Sequence, residues 1–217
     1  MSAHAAKLAR APARFLLLGG RLAIDFVNSS ISVGGKTETL QTWPDLVNFL
    51  AVTGAVNPER AGLLRDLEHS APQESAALLM RTLELREALR KILQARVERS
   101  PIPEQWVAPI NAVLQCTEGY DHLVPAAGGE SRGTDWRLTL EARSSGLDWL
   151  LAAIARSAAE LLTEGSDAKI RKCANPDCAL FFCDDSRTGA RRWCRMAVCG
   201  NRAKAVAHSR RKRSTGI

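Results

Sequence analysis

The sequence predicts an α+β protein, with a mostly helical body and a small antiparallel sheet, followed by a short C-terminal module that holds most of the cysteines. Apolar residues, mainly leucine, recur at threes and fours in several segments between residues 42 and 163, which is typical of amphipathic helices. Shorter segments alternate apolar and polar residues, as half-buried strands do. Near the end of the chain, four cysteines form two equally spaced pairs.

The first helices of the body are predicted from their N-terminal caps. Thr42 and Asn57 are residue types that cap helices, and each is followed within two positions by a proline, which is favoured in a first helical turn. The longest helix is predicted over 74–99, where charged residues of both signs alternate on the face opposite the leucines. Two further helices are predicted over 104–115 and 147–163.

The small sheet is predicted from three short segments, 22–27, 121–124 and 135–143, which alternate apolar and polar residues. The first of them follows a turn at two consecutive glycines. That glycine pair is not a phosphate-binding loop, because no third spaced glycine and no Lys-Ser/Thr follow it. Asp25 and Asn28 are polar residues beside this segment. We interpret them as turn or edge-strand residues rather than as site residues.

The two cysteine pairs are the strongest chemical signal in the chain. Cys173 and Cys178 form one C-x4-C pair, Cys194 and Cys199 form the other, and fifteen residues separate the pairs. Four thiolates are the preferred ligand set of tetrahedral zinc, and a complete set leaves no open position for water. The sequence therefore predicts one structural zinc ion. The predicted fold class is a mostly helical α+β body over 1–166 and a four-cysteine zinc finger with a basic tail over 167–217.

Two further cysteines remain outside this set. Cys183 lies between the pairs, but five thiols cannot all bind one tetrahedral ion, so we predict that Cys183 packs in the interior. Cys116 lies at the end of a predicted helix, and we interpret it as a small buried apolar residue rather than a reactive thiol.

The residues around the cysteines resemble a known family. The segments Cys173-Ala-Asn-Pro-Asp-Cys178, Arg191-Arg-Trp-Cys194 and Cys199-Gly-Asn-Arg202, with Phe182, Asp184 and Ser186-Arg187 between them, are similar to the CGNR-type zinc finger. The segment from Leu18 to Asn28 is similar to the opening of the ABATE domain that precedes this finger. The family pattern has an apolar residue where this chain has Cys183. The resemblance implies a bacterial transcription regulator associated with the stress response.

The charge of the chain is divided unevenly. From Lys169 to the C-terminus there are 13 Lys and Arg against 3 Asp, whereas the preceding residues have 17 Lys and Arg against 20 Asp and Glu. Such a basic end is typical of a nucleic-acid contact, and the alternative is a solvated tail. The predicted contacts are Arg191, Arg192, Arg195, Arg202, Lys204, Arg210, Arg211, Lys212 and Arg213. A structural role is equally open for Arg202, and is the preferred interpretation of Asn201.

The sequence thus favours a cytoplasmic, DNA-binding transcription regulator. Its body would act as a sensor for a small-molecule effector or as a dimerisation domain that forms a homodimer. One alternative is a finger that contacts RNA or a protein. Another is an enzyme with its active site in the body, but no catalytic motif stands out: a triad from His122, Asp148 and the serines at 144–145 lacks a nucleophile elbow. No apolar run approaches the ~20 residues that a membrane-spanning helix needs.

Overall fold

The structure, a computed structural model, describes residues 15–30, 38–116, 119–125, 136–142, 146–164 and 169–214. The helices of the body are α1 Leu22–Asn28, α2 Trp43–Val52, α3 Pro58–Arg65, α4 Leu67–Ser70, α5 Pro72–Glu98, α6 Glu104–Cys116 and α7 Ala152–Thr163, which a 3-10 turn, Asp148–Leu151, directly precedes. Strands β1 Gly119–Pro125 and β2 Trp136–Ala142 pair antiparallel, with Gly119 opposite Ala142. The C-terminal part contains β3 Ile170–Lys172, β4 Phe181–Cys183, a π-helical turn Met196–Gly200 and α8 Asn201–Ser214. The predicted fold class is confirmed: a mostly helical body with a small antiparallel sheet, and a four-cysteine cluster near the C-terminus.

The caps predicted from the sequence begin helices α2 and α3. The Thr42 side chain accepts a hydrogen bond from the backbone N–H of Asp45, and the Asp45 carboxylate accepts one from the backbone N–H of Thr42 at 3.0 Å, which completes a capping box. The Asn57 side chain accepts the N–H of Arg60 at 2.7 Å. These bonds satisfy N–H groups that have no partner within a helix, which is why the local prediction succeeds here.

The predicted strand over 22–27 is wrong, because these residues form helix α1. A strand would send alternate residues to opposite faces, whereas Ala23, Ile24, Phe26 and Val27 are all buried. Spacings of three and four along a helix place these residues on one broad face, which packs against α5 and α7. Gly19 precedes this helix in a position with no room for a side chain, since a Cβ atom there would lie 2.6 Å from Ile24. Within the described residues, the sheet therefore has the other two predicted strands only.

The core of the body extends into the C-terminal part of the chain. Strand β4 alternates between two interiors: Phe181 and Cys183 belong to the body core around Ile24 and Phe49, whereas Phe182 packs with the four paired cysteines. In return, Leu16 and Leu18, from the beginning of the described chain, pack on the cysteine cluster. The predicted boundary at residues 165–167 lies outside the described residues. On either side of it, the two parts share their apolar interiors.

Residues 191–193 form no strand, because the backbone N–H of Arg191 donates to the Asp184 carboxylate at 3.0 Å. One smaller prediction is also wrong. Cys116 is exposed rather than buried, because it lies at the C-terminal end of α6, where the helix leaves the core. None of the helices in the described part of the chain is long and apolar enough to cross a membrane.

Candidate metal centre and adjacent basic surface

Tight local turns bring the four paired cysteines together. Cys173 follows β3, and its N–H donates to the carbonyl of Leu180 at 2.9 Å. Cys178 closes a turn in which its N–H donates to the Asn175 carbonyl, at 2.9 Å. Cys199 lies in the π-helical turn before α8, and its N–H donates to the carbonyl of Arg195 at 3.0 Å. Backbone hydrogen bonds therefore hold Cys173, Cys178 and Cys199 in place.

The sulfur atoms have the spacing of a tetrahedral metal site. All four Sγ atoms lie within 4.8 Å of one another, and all four cysteines are buried. Cys178 Sγ lies 3.8 Å from Cys194 Sγ, which in turn lies 3.6 Å from Cys199 Sγ. A tetrahedron with zinc–sulfur bonds of about 2.3 Å has edges of about 3.8 Å. The donor set and its geometry therefore fit one zinc ion.

The environment of the thiols differs from one cysteine to the next. Burial raises the pKa of Cys178 to about 11, and burial together with the neighbouring thiols raises the pKa of Cys194 further. Burial also acts on Cys199, but hydrogen bonds from Asn175 and from neighbouring thiols outweigh it and lower its pKa. Asn175 Nδ2 lies 3.5 Å from Cys199 Sγ, and the backbone N–H of Cys194 donates to Cys173 Sγ at 3.5 Å. Donors of this kind orient metal-binding thiolates and offset their charge. Sequence reasoning did not identify this contact of Asn175.

Cys183 lies apart from the metal cluster, as the sequence analysis expected. Its side chain is buried in the body core, and its Sγ donates to the Asp185 carboxylate at 3.4 Å. The alternation of β4 explains this placement, because Cys183 and Phe182 point to opposite faces of the strand.

The turn between the cysteine pairs is organised around Asp184, whose side chain is fully buried. Its carboxylate accepts hydrogen bonds from Arg171 Nε at 2.9 Å, the N–H of Arg191 at 3.0 Å and the Ser186 hydroxyl. Burial raises the pKa of Asp184, but the bonds from Ser186 and Arg191 and the charge of Arg171 outweigh it, so its pKa is lowered. Asp184 is thus an ionised hub that fixes the path of the chain between Cys178 and Cys194.

Arg191 is turned towards the interior of the finger. Its guanidinium lies over the ring of Phe182, 4.2 Å from the centroid, and donates to the carbonyl oxygens of Trp193 at 3.1 Å and Cys194 at 2.5 Å. It also reaches the carbonyl of Leu18 at 3.5 Å. The geometry thus indicates that Arg191, although predicted as a nucleic-acid contact, connects the finger to the first described segment of the body.

The other predicted contacts lie on the outside. Arg192, Arg195, Arg202, Lys204 and Lys212 are exposed. Arg210, Arg211 and Arg213 lie in the last turns of α8, and their side chains are outside the part that the structure describes. Helix α8 contains no Asp or Glu, and from Lys204 to Ser209 every residue is exposed. Asn201 is exposed too, and its amide donates to the Ala197 carbonyl at 3.3 Å rather than to a sulfur.

Asn28 joins the finger to the body. Its side-chain amide donates to the carbonyl of Phe181 at 2.9 Å and accepts the N–H of Phe181 at 3.0 Å, so it pairs with β4 as a neighbouring strand would. The N–H of Cys183 donates to the carbonyl of Gly19 at 2.8 Å, which extends this pairing. Asn28 and Phe181 are far apart in the chain, and no pattern in the sequence signals their contact.

The fold and this site define a helical body joined to a metal-binding finger. The family model ABATE, described as "Putative stress-induced transcription regulator", matches residues 20–165, and the model of the CGNR zinc finger matches residues 169–212. Because the first match covers more than half of the chain, the chain belongs to the ABATE family, and its C-terminal part is a CGNR zinc finger whose cysteines lie close enough to hold one zinc ion. Neither family is described as enzymatic. No curated protein matches the chain.

Proposed function

We propose that this protein is a DNA-binding transcription regulator in which a structural zinc ion fixes the base of a basic recognition helix. The observation that carries the proposal is helix α8, which begins two residues after Cys199 and contains no acidic residue. Its described side chains are all exposed except that of Ala203. A helix of 14 residues is about 21 Å long, and an α-helix fits the major groove of B-form DNA.

In this proposal the zinc ligands are Cys173, Cys178, Cys194 and Cys199. The set is complete, buried and supported by N–H donors, so the ion would cross-link the two turns that carry the pairs. Its role is to hold the π-helical turn, and with it the start of α8, against the rest of the finger. Because the ligands must be reduced thiols, we place this function in the cytoplasm.

The nucleic-acid contacts would be the outward cations, namely Arg192, Arg195, Arg202, Lys204, Arg210, Arg211, Lys212 and Arg213. Arginine suits bidentate contacts with phosphate and with guanine edges. If about five of these cations neutralise phosphates, the logarithm of the affinity should fall with the logarithm of salt concentration with a slope of roughly −4 to −5. Arg191 stays out of this set, because its donors are engaged by backbone carbonyls.

The test is binding of the zinc-loaded full chain to DNA fragments that include its own upstream region, with and without excess unrelated competitor DNA. The same titration is made with a chain that ends at Asn201. A deletion from Lys169 onwards would be unsuitable, because it would remove Phe181 and Cys183 from the body core. Competitor-resistant binding that the shortened chain loses supports the proposal.

A charge-matched pair of variants tests the role of α8 itself. Arg202→Gln with Lys204→Gln removes two cations from α8, and Lys169→Gln with Arg187→Gln removes two exposed cations from elsewhere in the same finger. The first pair should reduce the salt slope by about 2, and the second should leave it nearly unchanged. If the two pairs had equal effects, the finger would bind DNA only as a basic surface, and α8 would not be a recognition helix. If the intact chain bound RNA or a protein but not DNA, the proposed function would be wrong, and contact with RNA or a protein would take its place.

A further inference from the structure

The finger and helix α5 enclose a groove that the proposed DNA contact does not use. It has a volume of about 340 Å³ and runs along a stripe of α5 that includes Arg90, Lys91 and Gln94. The opposite wall is formed by Lys172 and Phe181 of the finger, and Trp106 of α6 contributes an indole ring. This volume is within the range of small-molecule sites, which is about 300–1,000 Å³.

The carboxylates in the groove already have partners. Glu87 lies 3.4 Å from Arg90, which also donates to the carbonyl of Val27 at 3.3 Å. Glu98 accepts a hydrogen bond from the amide of Gln94. Only Glu87 is paired with a cation, because the neutral amide of Gln94 leaves the negative charge of Glu98 in place. The three cations that line the groove, Arg90, Lys91 and Lys172, still outnumber its two carboxylates.

The ammonium groups of the two lysines in the groove have fewer partners than its carboxylates. Lys91 is exposed and has no ion-pair partner in the part of the chain that the structure describes. Lys172 is also exposed, and its Nζ has a hydrogen bond of only 3.5 Å, to Gln94 Oε1. The groove thus offers two ammonium groups, one on each wall, to an anion.

The apolar part of the groove is aromatic. Phe181 is almost fully buried beneath Lys172, whose Nζ lies 6.0 Å from the ring centroid, and Trp106 is half-buried. A flat ring can stack on the accessible part of Trp106 while a charged group remains at the rim.

We propose that this groove binds a small aromatic carboxylate, with its ring against Trp106 and its carboxylate between Lys91 and Lys172. Lys172 and Phe181 belong to the strands that flank the Cys173–Cys178 turn, whereas Lys91 belongs to the body. One ligand would therefore contact both parts and stabilise their docked arrangement. Binding itself does not depend on the proposed DNA contact; only an effect of the ligand on DNA affinity would rest on that function.

The probe is 1-naphthoate, titrated by isothermal calorimetry into the zinc-loaded full chain in the absence of DNA. A ligand of this size is expected to bind with a dissociation constant on the order of 0.1–1 mM. The neutral analogue 1-naphthalenemethanol should bind at least tenfold more weakly, because it lacks the carboxylate. Equal binding of the two compounds, or no binding of 1-naphthoate, would overturn the proposal.

Two matched double variants locate the site. Lys91→Gln with Lys172→Gln should weaken 1-naphthoate binding about tenfold, with no change in zinc content or melting temperature, because both side chains are exposed. Arg202→Gln with Lys204→Gln removes the same charge from α8 and should leave the binding unchanged. If the α8 pair weakens binding and the groove pair does not, the anion binds the basic helix and the groove proposal fails.

Discussion

The cysteine cluster and helix α8 are adjacent in sequence but differ completely in environment. The four thiols are buried between β4, the turn at Asn175 and the π-helical turn, and Leu16 and Leu18 pack on them from the beginning of the described chain. Helix α8 begins two residues after Cys199, and its described side chains lie in solvent except that of Ala203. The same short stretch of chain thus contains residues that stabilise the fold and residues available to a partner. Substitutions of the buried residues around the cysteines should change stability and zinc content, whereas substitutions of the exposed cations on and near α8 should change binding.

The largest effect is expected from removal of a zinc ligand. Cys194→Ser should lower the zinc content from one ion per chain to none. Zinc contributes on the order of 10 kcal/mol to the folding of isolated zinc fingers. The melting temperature should also fall, because unfolding of the finger withdraws Phe181 from the body core. Zinc analysis and thermal unfolding of the same preparation measure both effects.

Cys183→Ser is the matched control for this loss. Cys183 is equally buried but lies outside the metal cluster, so its variant should keep one zinc ion per chain. Full retention of zinc by Cys194→Ser would show that the assignment of Cys194 as a zinc ligand is wrong. Loss of zinc from Cys183→Ser would indicate that the fifth thiol, Cys183, is also a zinc ligand.

The second effect concerns the contact between finger and body, tested with two asparagines. Asn28→Ala leaves both the N–H and the carbonyl of Phe181 without partners in a buried site, and should lower the free energy of unfolding by about 2–4 kcal/mol. Asn201→Ala removes one exposed hydrogen bond and should change it by less than about 0.5 kcal/mol. Urea unfolding measures both variants. Similar stabilities for the two would mean that the finger is not held to the body through Asn28.

The third test compares two consecutive arginines. Arg191→Ala removes the stacking on Phe182 and leaves buried carbonyl groups without donors, so it should lower the free energy of unfolding by about 2 kcal/mol. Arg192→Ala should leave stability within about 0.5 kcal/mol of the original and reduce the salt slope of DNA binding by about 1. Chemical unfolding and a salt titration of DNA binding separate the two roles. The reverse outcome would exchange the assignments of the two arginines.

These comparisons show which features could be predicted from the sequence. The cysteine spacing, the Thr42 and Asn57 caps and the long helix α5 are local signals, because the interacting groups lie within a few residues or repeat with a helical period. Of these predictions, the position of the four-cysteine site agrees best with the structure.

The remaining features depend on contacts between distant residues. Helix α1 has only seven residues, and a short apolar segment fits a strand as well as a buried helix until its packing partners are known. Asn28 has no local signal for its pairing with Phe181. Arg191 and Arg192 are identical in type and neighbours in sequence, and only the position of Phe182 assigns the first to the interior.

The smallest predicted effect arises from Asp25, a titratable residue near the contact between the finger and the body. Asp25 accepts the N–H of Gly19 at 2.7 Å, and the Gly19 carbonyl accepts the N–H of Cys183, so Asp25 supports the loop that holds β4. Burial raises the pKa of Asp25 to about 6 from its ordinary 3.8, although bonds from the backbone of Gly19 and Leu18 oppose the rise. Between these two values the unfolded chain ionises before the folded one. The contribution of Asp25 to stability is therefore largest at low pH, falls as the pH rises to about 6, and stays low above it.

Asp25→Asn keeps an acceptor for Gly19 and removes this charge, so it should stabilise the protein most at neutral pH. Its advantage over the original chain should grow by up to about 1 kcal/mol between about pH 5 and pH 7.5, reduced by partial access of solvent to the carboxylate. Urea unfolding of both proteins at each pH measures the difference, and the effect of pH on the zinc ligands cancels because both chains retain them. A difference that stays constant across this range would show that Asp25 is ionised equally in the folded and unfolded chains. Its burial would then contribute nothing to the pH dependence of the finger–body contact.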